Sequence, residues 1–350
     1  MSAEFDSGMF VREPAWHRMG NVVQERPESW QQAREWAGLL WEPVEEPVIG
    51  YTGDFAGIEA RLEGLADGMS NDAEIDGLRD VISRFHVIEG RKRIVRSDTG
   101  ATLGVPTSEY AIISHAEMGE VIEALLDQRN VNYETLVSLQ GGRAIAALLQ
   151  LDEPVQLPGD PSVTLPYLAV TTRHDGTGAL KALTTSVRIV CWNTFSAAES
   201  QGERNGTAFT FGHSRGWRDR VEEAKLTLAG TRAEFAAYVE VAETLAKVPV
   251  TEAQATEFVA RFVPMPPESL VSDRVVRNVE QARDAVRTIL AGPTSDGIGG
   301  TAFGLVQAAG EYLDHYRAYR SMDSYFTRQL LRPEPLKAKA VQLVREIVGA

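Results

Sequence analysis

Residues 164–198 read TLPYLAVTTRHDGTGALKALTTSVRIVCWNTFSAA, and this stretch decides the fold. Two β-rich runs, Tyr167 to Thr172 and Leu180 to Val190, flank a short turn that contains Asp175 and Gly176. Asp-Gly between two such runs is a strong local signal for a β-hairpin, because the tight hairpin turns need positive φ. The sequence therefore predicts a hairpin here.

The segments before this hairpin carry further β signals and one helix signal. Residues 81–113 predict a β-meander, and Ser114 is the expected cap of a helix with the sequence SHAEMGEVIEALLDQ. Tyr133 to Leu139 and Arg143 to Leu151 predict a second hairpin about a Gly-Gly pair. Nearer the N-terminus, Ser29 is the expected cap of the helix SWQQAREWAGLLW.

The segments after the central hairpin change from β to helical periodicity. Asn193 and Thr194 are typical N-cap residues, so we expect a helix to begin after them. A short strand, TAFTFGHS, then precedes a region with helical spacing from Trp217 onward. In that region Thr251 and Gln254 predict a capping box at the start of a helix, and residues 272–291 predict another helix. The segment GPTSDGIGG predicts a flexible loop. Thr301 then predicts the start of a helix, and Leu336 to Val348 predict a final helix.

This order of signals predicts an α+β fold: an antiparallel, β-hairpin-rich sheet with packed helices, followed by a mostly helical C-terminal region. We expect three parts. Residues 1–80 form an acidic N-terminal segment with one helix and a loop-rich insertion at 51–80, residues 81–216 form the α+β core with its hairpins, and residues 217–350 form the helical region.

Composition limits the classes of function. The net charge is −14, but residues 1–80 carry 17 Asp and Glu against 6 Arg, a net charge of −11, and the other 270 residues contribute only −3. An acidic protein repels nucleic acid, yet here most of the acid is confined to one end of the chain. A single cysteine excludes an internal disulfide and fits a reducing compartment. No apolar run approaches the roughly 18 residues that span a bilayer, so we expect a cytoplasmic protein without a membrane partner.

Several motifs, in this order, resemble those of one known family. They are PAWH near the start, YETLVSLQGGR, RHDGTGALKA, RIVCWNTF and TAFGLVQAAGEYLDHYR. The sequence is similar, from about residue 10 onward, to the phage/plasmid-like protein family catalogued as domain of unknown function 932. Trp192 departs from that family's usual small or polar residue. The resemblance implies a phage, prophage or plasmid context, and it implies no established activity.

Cations on the predicted strands are the candidate nucleic-acid-binding residues. Basic side chains combined with aromatics on strands are suited to single-stranded nucleic acid, because the cations neutralise phosphates while the rings stack on bases. The candidate residues are Arg91, Lys92, Arg93, Arg143, Arg173, His174, Lys181 and Arg188. The plain alternative is a solvated surface or a charged edge strand that prevents aggregation. In an unbroken strand, Lys181 and Arg188 fall on opposite faces, so a bulge is needed to align them.

Arg188 and Cys191 raise separate questions. Arg188 lies among apolar residues, so it needs an ionic partner, for which Glu134 and Asp175 are candidates, or a ligand. Cys191 is a conceivable nucleophile if His174 or His213 approaches it, but a lone cysteine beside apolar residues is more often part of a core.

Other catalytic and cofactor signals are weak. Glu311, Asp314 and His315 lie within about one helical turn, which does not complete a metal site. The sequence lacks the Walker, dinucleotide-binding and nucleophile-elbow motifs, so we expect no metal, no other cofactor and no catalytic constellation of a known kind.

Three hypotheses for function remain. The first is a mobile-element protein that binds single-stranded DNA as a homo-oligomer and anneals strands, because the order of elements resembles in outline the β-β-β-α core of phage strand-annealing proteins. The second is a host-directed interaction or anti-defence protein, whose acidic residues 1–80 contact a basic host partner. The third is an enzyme with a site around Cys191, His174 and Arg188.

Overall fold

The computed structural model describes most of the 350-residue chain, and every structural statement below refers to the described residues. They are residues 5–11, 20–53, 79–125, 132–151, 154–188, 193–195, 209–213, 236, 238–267, 269, 272–318 and 335–349.

Strands dominate the first 213 residues and helices the remainder. The strands are β1 (Phe5–Val11), β2 (Asn21–Val23), β3 (Pro43–Tyr51), β4 (Phe85–Arg96), β5 (Thr102–Gly104), β6 (Asn132–Leu139), β7 (Ala144–Gln150), β8 (Val155–Gln156), β9 (Val163–Arg173), β10 (Leu180–Arg188), β11 (Asn193–Phe195) and β12 (Phe209–Phe211). The α-helices with defined ends are α1 (Trp30–Ala37), α2 (His115–Leu125), α3 (Glu252–Phe262), α4 (Asp273–Leu290), α5 (Ala302–Glu311) and α6 (Pro335–Val348). Residues 238–246 are also helical. The predicted α+β class, with a mostly helical C-terminal region, is confirmed.

The larger sheet is built around the predicted central hairpin. Its strand order is β11-β10-β9-β7-β6-β1-β2, with β12 paired to β10 and β8 to β9. Neighbours run antiparallel except for β1 and β2. The hairpin itself pairs Lys181 with Thr171 and continues without a shift to Arg188 opposite Thr164. The two hairpins predicted from the sequence are therefore adjacent in one sheet.

The expected helix cap at Asn193 and Thr194 is wrong. Residues Asn193–Phe195 form strand β11, in which Asn193 pairs with Arg188 and Thr194 with Val187. Pairing with the edge of β10 thus satisfies backbone N–H and C=O groups of this segment without a helix. At this position, pairing with β10 outweighs the preference of Asn and Thr for a helix start.

Helices α1 and α2 cover one face of the larger sheet. Ser29 caps α1 by accepting a hydrogen bond from the Gln32 amide at 3.2 Å, as predicted. Ser114 and Glu117 form a reciprocal box at the start of α2, with distances of 2.9 and 3.1 Å. The core between these helices and the sheet contains Trp30, Ala33, Met118, Ile122, Leu136, Leu149, Leu168 and Val170.

The opposite face of the central strands is buried as well. Leu148, Tyr167 and Ala169 form a small separate cluster on that face, and each is under 8% exposed. Within the described residues, β7 and β9 in the middle of the larger sheet therefore have buried side chains on both faces.

The smaller sheet has the order β3-β4-β5 and differs from the predicted meander. Residues 79–83 are helical, and residues 85–96 form one long strand rather than two. Gly90 lies within β4 and marks a kink, with φ of 73°. Glycine relieves the strain of this left-handed conformation, so the strand continues past it.

The C-terminal helices enclose a second core. Thr251 and Gln254 form the predicted capping box of α3, and Thr301 caps α5. The segment GPTSDGIGG is not a flexible loop: Ile298 is 1% exposed, and the Gly300 carbonyl accepts a hydrogen bond from Val250 at 2.9 Å. Within the described ranges, no helix has the length and apolar character needed to cross a membrane. The domain boundaries proposed at residues 80 and 216 stay predictions.

Candidate functional site

The three cations of the sequence run Arg91 to Arg93 lie on β4, and neighbouring carboxylates neutralise two of them. Lys92 pairs with Glu45 on β3, and Arg93 lies 3.4 Å from Glu46 on the same strand. Arg91 is exposed and donates a 3.4 Å hydrogen bond to the Val105 carbonyl. Of this run, Arg91 is therefore the cation without a carboxylate partner in the described part of the chain.

A second group of predicted cations surrounds the turn between β9 and β10. Arg173 donates to the Asp175 carboxylate at 3.1 Å and to the Gln140 side-chain oxygen at 2.8 Å. Burial alone raises the pKa of Asp175, but the bonds from Arg173 and Thr177 outweigh burial and bring this pKa to about 2. Asp175 is therefore ionised at physiological pH and forms an ion pair with Arg173.

Arg143 and Lys181 lie at the same end of the larger sheet. The neighbour of Arg143, Ala144, pairs with Arg173, and Lys181 pairs with Thr171. Arg143 is exposed, whereas Lys181 is half-buried. Hence Arg143, Arg173 and Lys181 are close in the fold, although 38 positions separate the first from the last in sequence.

The two cation groups adjoin because the hairpin turn packs against the smaller sheet. A Cβ atom on Gly104 of β5 would lie 2.5 Å from the Asp175 backbone, and one on Gly176 would lie 2.8 Å from Pro106. The residue after Pro106, Thr107, is bridged to Arg91. The structure therefore brings the β4 cations and the turn cations to neighbouring elements.

Arg188 does not belong to this group. It lies at the far end of β10, seven residues from Lys181, which corresponds to about 23 Å along a strand. The register between them has no bulge, so nothing in the backbone aligns the two positions. The partners expected for Arg188 are also engaged elsewhere, since Glu134 pairs with Arg26 and Asp175 with Arg173.

His174 is not available as a surface ligand for nucleic acid. It is fully buried, and its Nε2 atom lies 3.2 Å from Nε2 of His115 on α2. Burial, followed by the neighbouring His115, lowers the pKa of His174 well below its ordinary value. Burial, followed by Arg34, lowers the pKa of His115 to about 3. Both rings are therefore neutral at physiological pH and share one N–H···N hydrogen bond.

Sequence reasoning missed this histidine pair and the aromatic groups around it. Trp41 packs edge-on to His115 with ring centroids 4.4 Å apart. Tyr110 stacks on His213 at 4.5 Å and donates a 2.6 Å hydrogen bond to the Arg173 carbonyl. These contacts anchor the turn-bearing end of β9 to the core. No local signal connects these residues, because they come from separate segments of the chain.

Strands β3 and β4 form a two-stranded ribbon, and its outer half consists of residues 49–51 and 85–89. This outer half carries exposed apolar and aromatic side chains. Tyr51 and Phe85 face each other across the two strands with ring centroids 5.1 Å apart, and Phe85 is 41% exposed. Next to them, Ile49 and Val87 are paired and are 53% and 58% exposed. This ribbon is therefore a described surface that combines aromatic rings with nearby cations.

The described residues provide no geometric support for the catalytic and metal hypotheses. Cys191 lies outside the described residues, so the proposed approach of a histidine to it has no described counterpart. Asp314 is buried and pairs with Lys337 at 2.8 Å. Glu311 is buried while His315 is exposed, because residues Tyr312–Tyr316 form a π-helical turn that changes their spacing. Among the described residues, no three His, Cys, Asp or Glu side chains are grouped as metal ligands.

Fold and site together define an α+β protein with a large, mostly antiparallel sheet and a β3–β4 ribbon of mixed basic and apolar character. The chain belongs to the family described as Domain of unknown function (DUF932), whose sequence profile matches residues 102–333. This match confirms the resemblance inferred from the motifs, and the PAWH motif lies outside the matched range. Searches of curated proteins and of solved structures found no match to this chain.

Proposed function

We propose that the protein binds single-stranded nucleic acid through the β3–β4 ribbon. The observation that carries the proposal is the exposed Phe85 ring, packed against the half-buried Tyr51 ring, on a ribbon in which Arg84 precedes and Arg91 follows the segment 85–89. Stacking on such rings is favourable for any base, and cations beside them neutralise the backbone phosphates. Recognition of this kind needs no covalent chemistry.

The ion pairs on the ribbon limit the affinity and make it depend on salt. The exposed Arg93–Glu46 pair contributes about 0–1 kcal/mol, so a phosphate can displace Glu46, whereas the Lys92 side chain is only 14% exposed and is less accessible to a phosphate. The displaced carboxylate stays nearby and offsets part of the gain. We therefore expect weaker binding than the number of cations suggests, with a clear loss of affinity as salt is raised.

The adjoining turn supplies a route for a longer strand. Arg143 is exposed beside Arg173, and the turn packs on Pro106 next to the ribbon. A bound strand that starts on the Tyr51–Phe85 rings can continue past Arg91 toward Arg143. On this proposal the protein serves a phage, prophage or plasmid by handling single strands, and annealing during recombination or replication is the role that we infer.

A second candidate function is contact with a host protein. The observation that favours it is the aliphatic surface of the ribbon, where Ile49 and Val87 are more than half exposed. Exposed aliphatic groups beside neutralised cations fit a protein surface better than a phosphate backbone. On this alternative the ribbon binds a partner without any affinity for nucleic acid.

Fluorescence anisotropy with a labelled single-stranded oligonucleotide distinguishes the two candidates. We expect Phe85→Ala and Arg91→Ala each to weaken binding about tenfold, or about 1.4 kcal/mol, which for Phe85 lies within the range of about 1–3 kcal/mol for a stacking ring. Arg277→Ala is the matched control, since Arg277 is an exposed arginine on α4, far from the ribbon in sequence. Equal affinities for all four proteins would contradict the proposed site.

A further inference from the structure

The inner and outer halves of the β3–β4 ribbon have different edge chemistry. The β3 edge contains Pro43 and Pro47 together with Glu45 and Glu46. Prolines and charges of this kind prevent an edge strand from pairing with another chain. Residues 85–89 of β4 read FHVIE and include no proline and one charged residue. Proline and charge therefore protect the inner half of the ribbon, whereas the outer half, where Ile49–Tyr51 pair with Phe85–Val87, lacks this protection, and the β4 edge is unprotected there.

The unprotected edge has open backbone groups. The Thr52 amide donates to the Arg84 carbonyl at 3.0 Å, and Gly50 pairs with His86. Because backbone groups alternate between the two sides of an antiparallel strand, Phe85 and Val87 direct their N–H and C=O groups away from β3.

A neighbouring segment covers this edge only farther along β4. The Ser108 amide donates to the Gly90 carbonyl at 3.1 Å, and the Lys92 amide donates to the Pro106 carbonyl at 3.2 Å. Within the described ranges, Phe85 and Val87 have no backbone partner on this side. The open edge is therefore confined to the outer half of the ribbon.

The side chains on this edge are apolar and exposed. Phe85 is 41% exposed, Val87 58% and Ile88 40%. Phe85 and Val87 share a face with their cross-strand partners Tyr51 and Ile49. An open edge with apolar side chains is the arrangement that pairs with a second strand.

We propose that two copies of this chain pair through β4, antiparallel about a two-fold axis at His86. In this arrangement Phe85 of each copy lies opposite Val87 of the other, and the open backbone groups of both residues form four hydrogen bonds. Aromatic residues opposite β-branched residues are favourable pairs in antiparallel sheets. The two apolar faces join into one, and the contact is isologous, as in most homodimers.

The occupant is a second copy because the edge is complementary to itself. The two open positions are separated by one residue, so an antiparallel copy centred on that residue satisfies both sets of backbone groups at once. The contact is short, and short interfaces give reversible association. The proposal does not require nucleic-acid binding, and it is tested without nucleic acid.

Sedimentation velocity over a wide range of protein concentration provides the first test. We expect the mass to rise from that of a monomer toward that of a dimer. Val87→Pro removes only the outward N–H group, so it abolishes the dimer and leaves the circular dichroism spectrum unchanged. Val87→Thr keeps the N–H group and the β-branched shape, so it retains the dimer. A protein that stays monomeric, or a dimer that survives Val87→Pro, would overturn the proposal.

Disulfide trapping provides the second test. In a Cys191→Ser background, His86→Cys places the two sulfurs at the axis, where opposed Cα atoms lie about 4.5 Å apart. Mild oxidation then yields a covalent dimer. Ile82→Cys is the control, because Ile82 is as exposed as Val87 but lies outside the strand. Equal cross-linking at both positions, or none at position 86, would overturn the proposed register.

Discussion

Gly119 on α2 lies directly beneath the Trp30 ring of α1. A Cβ atom at this position would lie 2.1 Å from Cδ1 of Trp30, and the Trp30 indole is fixed by a 2.7 Å hydrogen bond to the His115 carbonyl. Helix propensity alone favours alanine over glycine by about 0.8–1.0 kcal/mol. Overpacking a core costs about 1–3 kcal/mol, so packing decides the sign.

We therefore expect Gly119→Ala to lower the free energy of unfolding by about 1–2 kcal/mol, measured by urea denaturation. Gly300→Ala is the control, since no atom lies within 4 Å of the added methyl group. A more stable Gly119→Ala protein would show that the Trp30 ring moves freely and that the packing described here is wrong.

The buried His115–His174 pair makes stability depend on pH. In the unfolded chain both side chains titrate near their ordinary pKa of about 6.5, whereas burial lowers the pKa of His115 to about 3 and that of His174 well below 6.5. Below about pH 6.5 the unfolded chain therefore binds more protons than the folded protein does. The free energy of unfolding falls as the pH decreases through this window.

Each histidine that stays neutral when folded contributes a slope of about 1.4 kcal/mol per pH unit below its ordinary pKa. We expect the pair to lower the free energy of unfolding by about 2–3 kcal/mol between about pH 7 and about pH 5.5. Urea denaturation at the two pH values measures this loss. In His115→Gln the pH dependence should fall by about half, and an unchanged wild-type stability at the lower pH would refute the assignment.

At the scale of single elements, the capping box of α3 gives a clean comparison. The Thr251 hydroxyl accepts a hydrogen bond from the Gln254 amide, and the Gln254 side chain accepts one from the Thr251 amide at 2.9 Å. Loss of an N-cap side chain costs about 0.5–2 kcal/mol. Thr251→Ala should therefore lower the midpoint of thermal unfolding.

Thr256 supplies the matched control for this prediction. It is an exposed threonine in the middle of the same helix, where alanine has the higher helix propensity. Thr256→Ala should keep or raise the midpoint although the chemical change is identical. If both variants lose the same stability, the box does not stabilise α3.

The elements that sequence predicted well are those with local signals. The Asp175-Gly176 turn and the caps at Ser29, Ser114 and Thr251 are each defined within a few residues, and the structure confirms them. The expected cap at Asn193 is wrong because pairing with the preceding strand β10 outweighed its preference for a helix start.

The continuous strand β4 and the histidine pair were both missed by the sequence, for similar reasons. Gly90 has a positive φ, which occurs both in turns and in strand kinks, so the sequence could not distinguish one long strand from two. The His115–His174 contact joins positions 59 residues apart and leaves no local pattern. Long-range contacts of this kind require the fold itself.

At the scale of the whole molecule, strand order and the pairing of charges could not be predicted from the sequence. Strand β1 pairs with β6 more than 120 residues away, and no pattern in either segment specifies this partner. Likewise, the run Arg91 to Arg93 indicated a basic surface, but Glu45 and Glu46 come from a separate strand and neutralise two of its cations. The fold class was predictable because the change from β to helical periodicity is a property of each segment.

The measurement that tests the central proposal most directly is a salt titration of binding to matched single-stranded and double-stranded oligonucleotides. Because ring stacking requires unpaired bases, we expect the wild-type protein to prefer the single strand. We also expect the logarithm of its affinity to fall linearly with the logarithm of salt concentration. Absence of binding at the lowest salt, or equal affinity for both oligonucleotides, would contradict the proposal that the ribbon binds single strands.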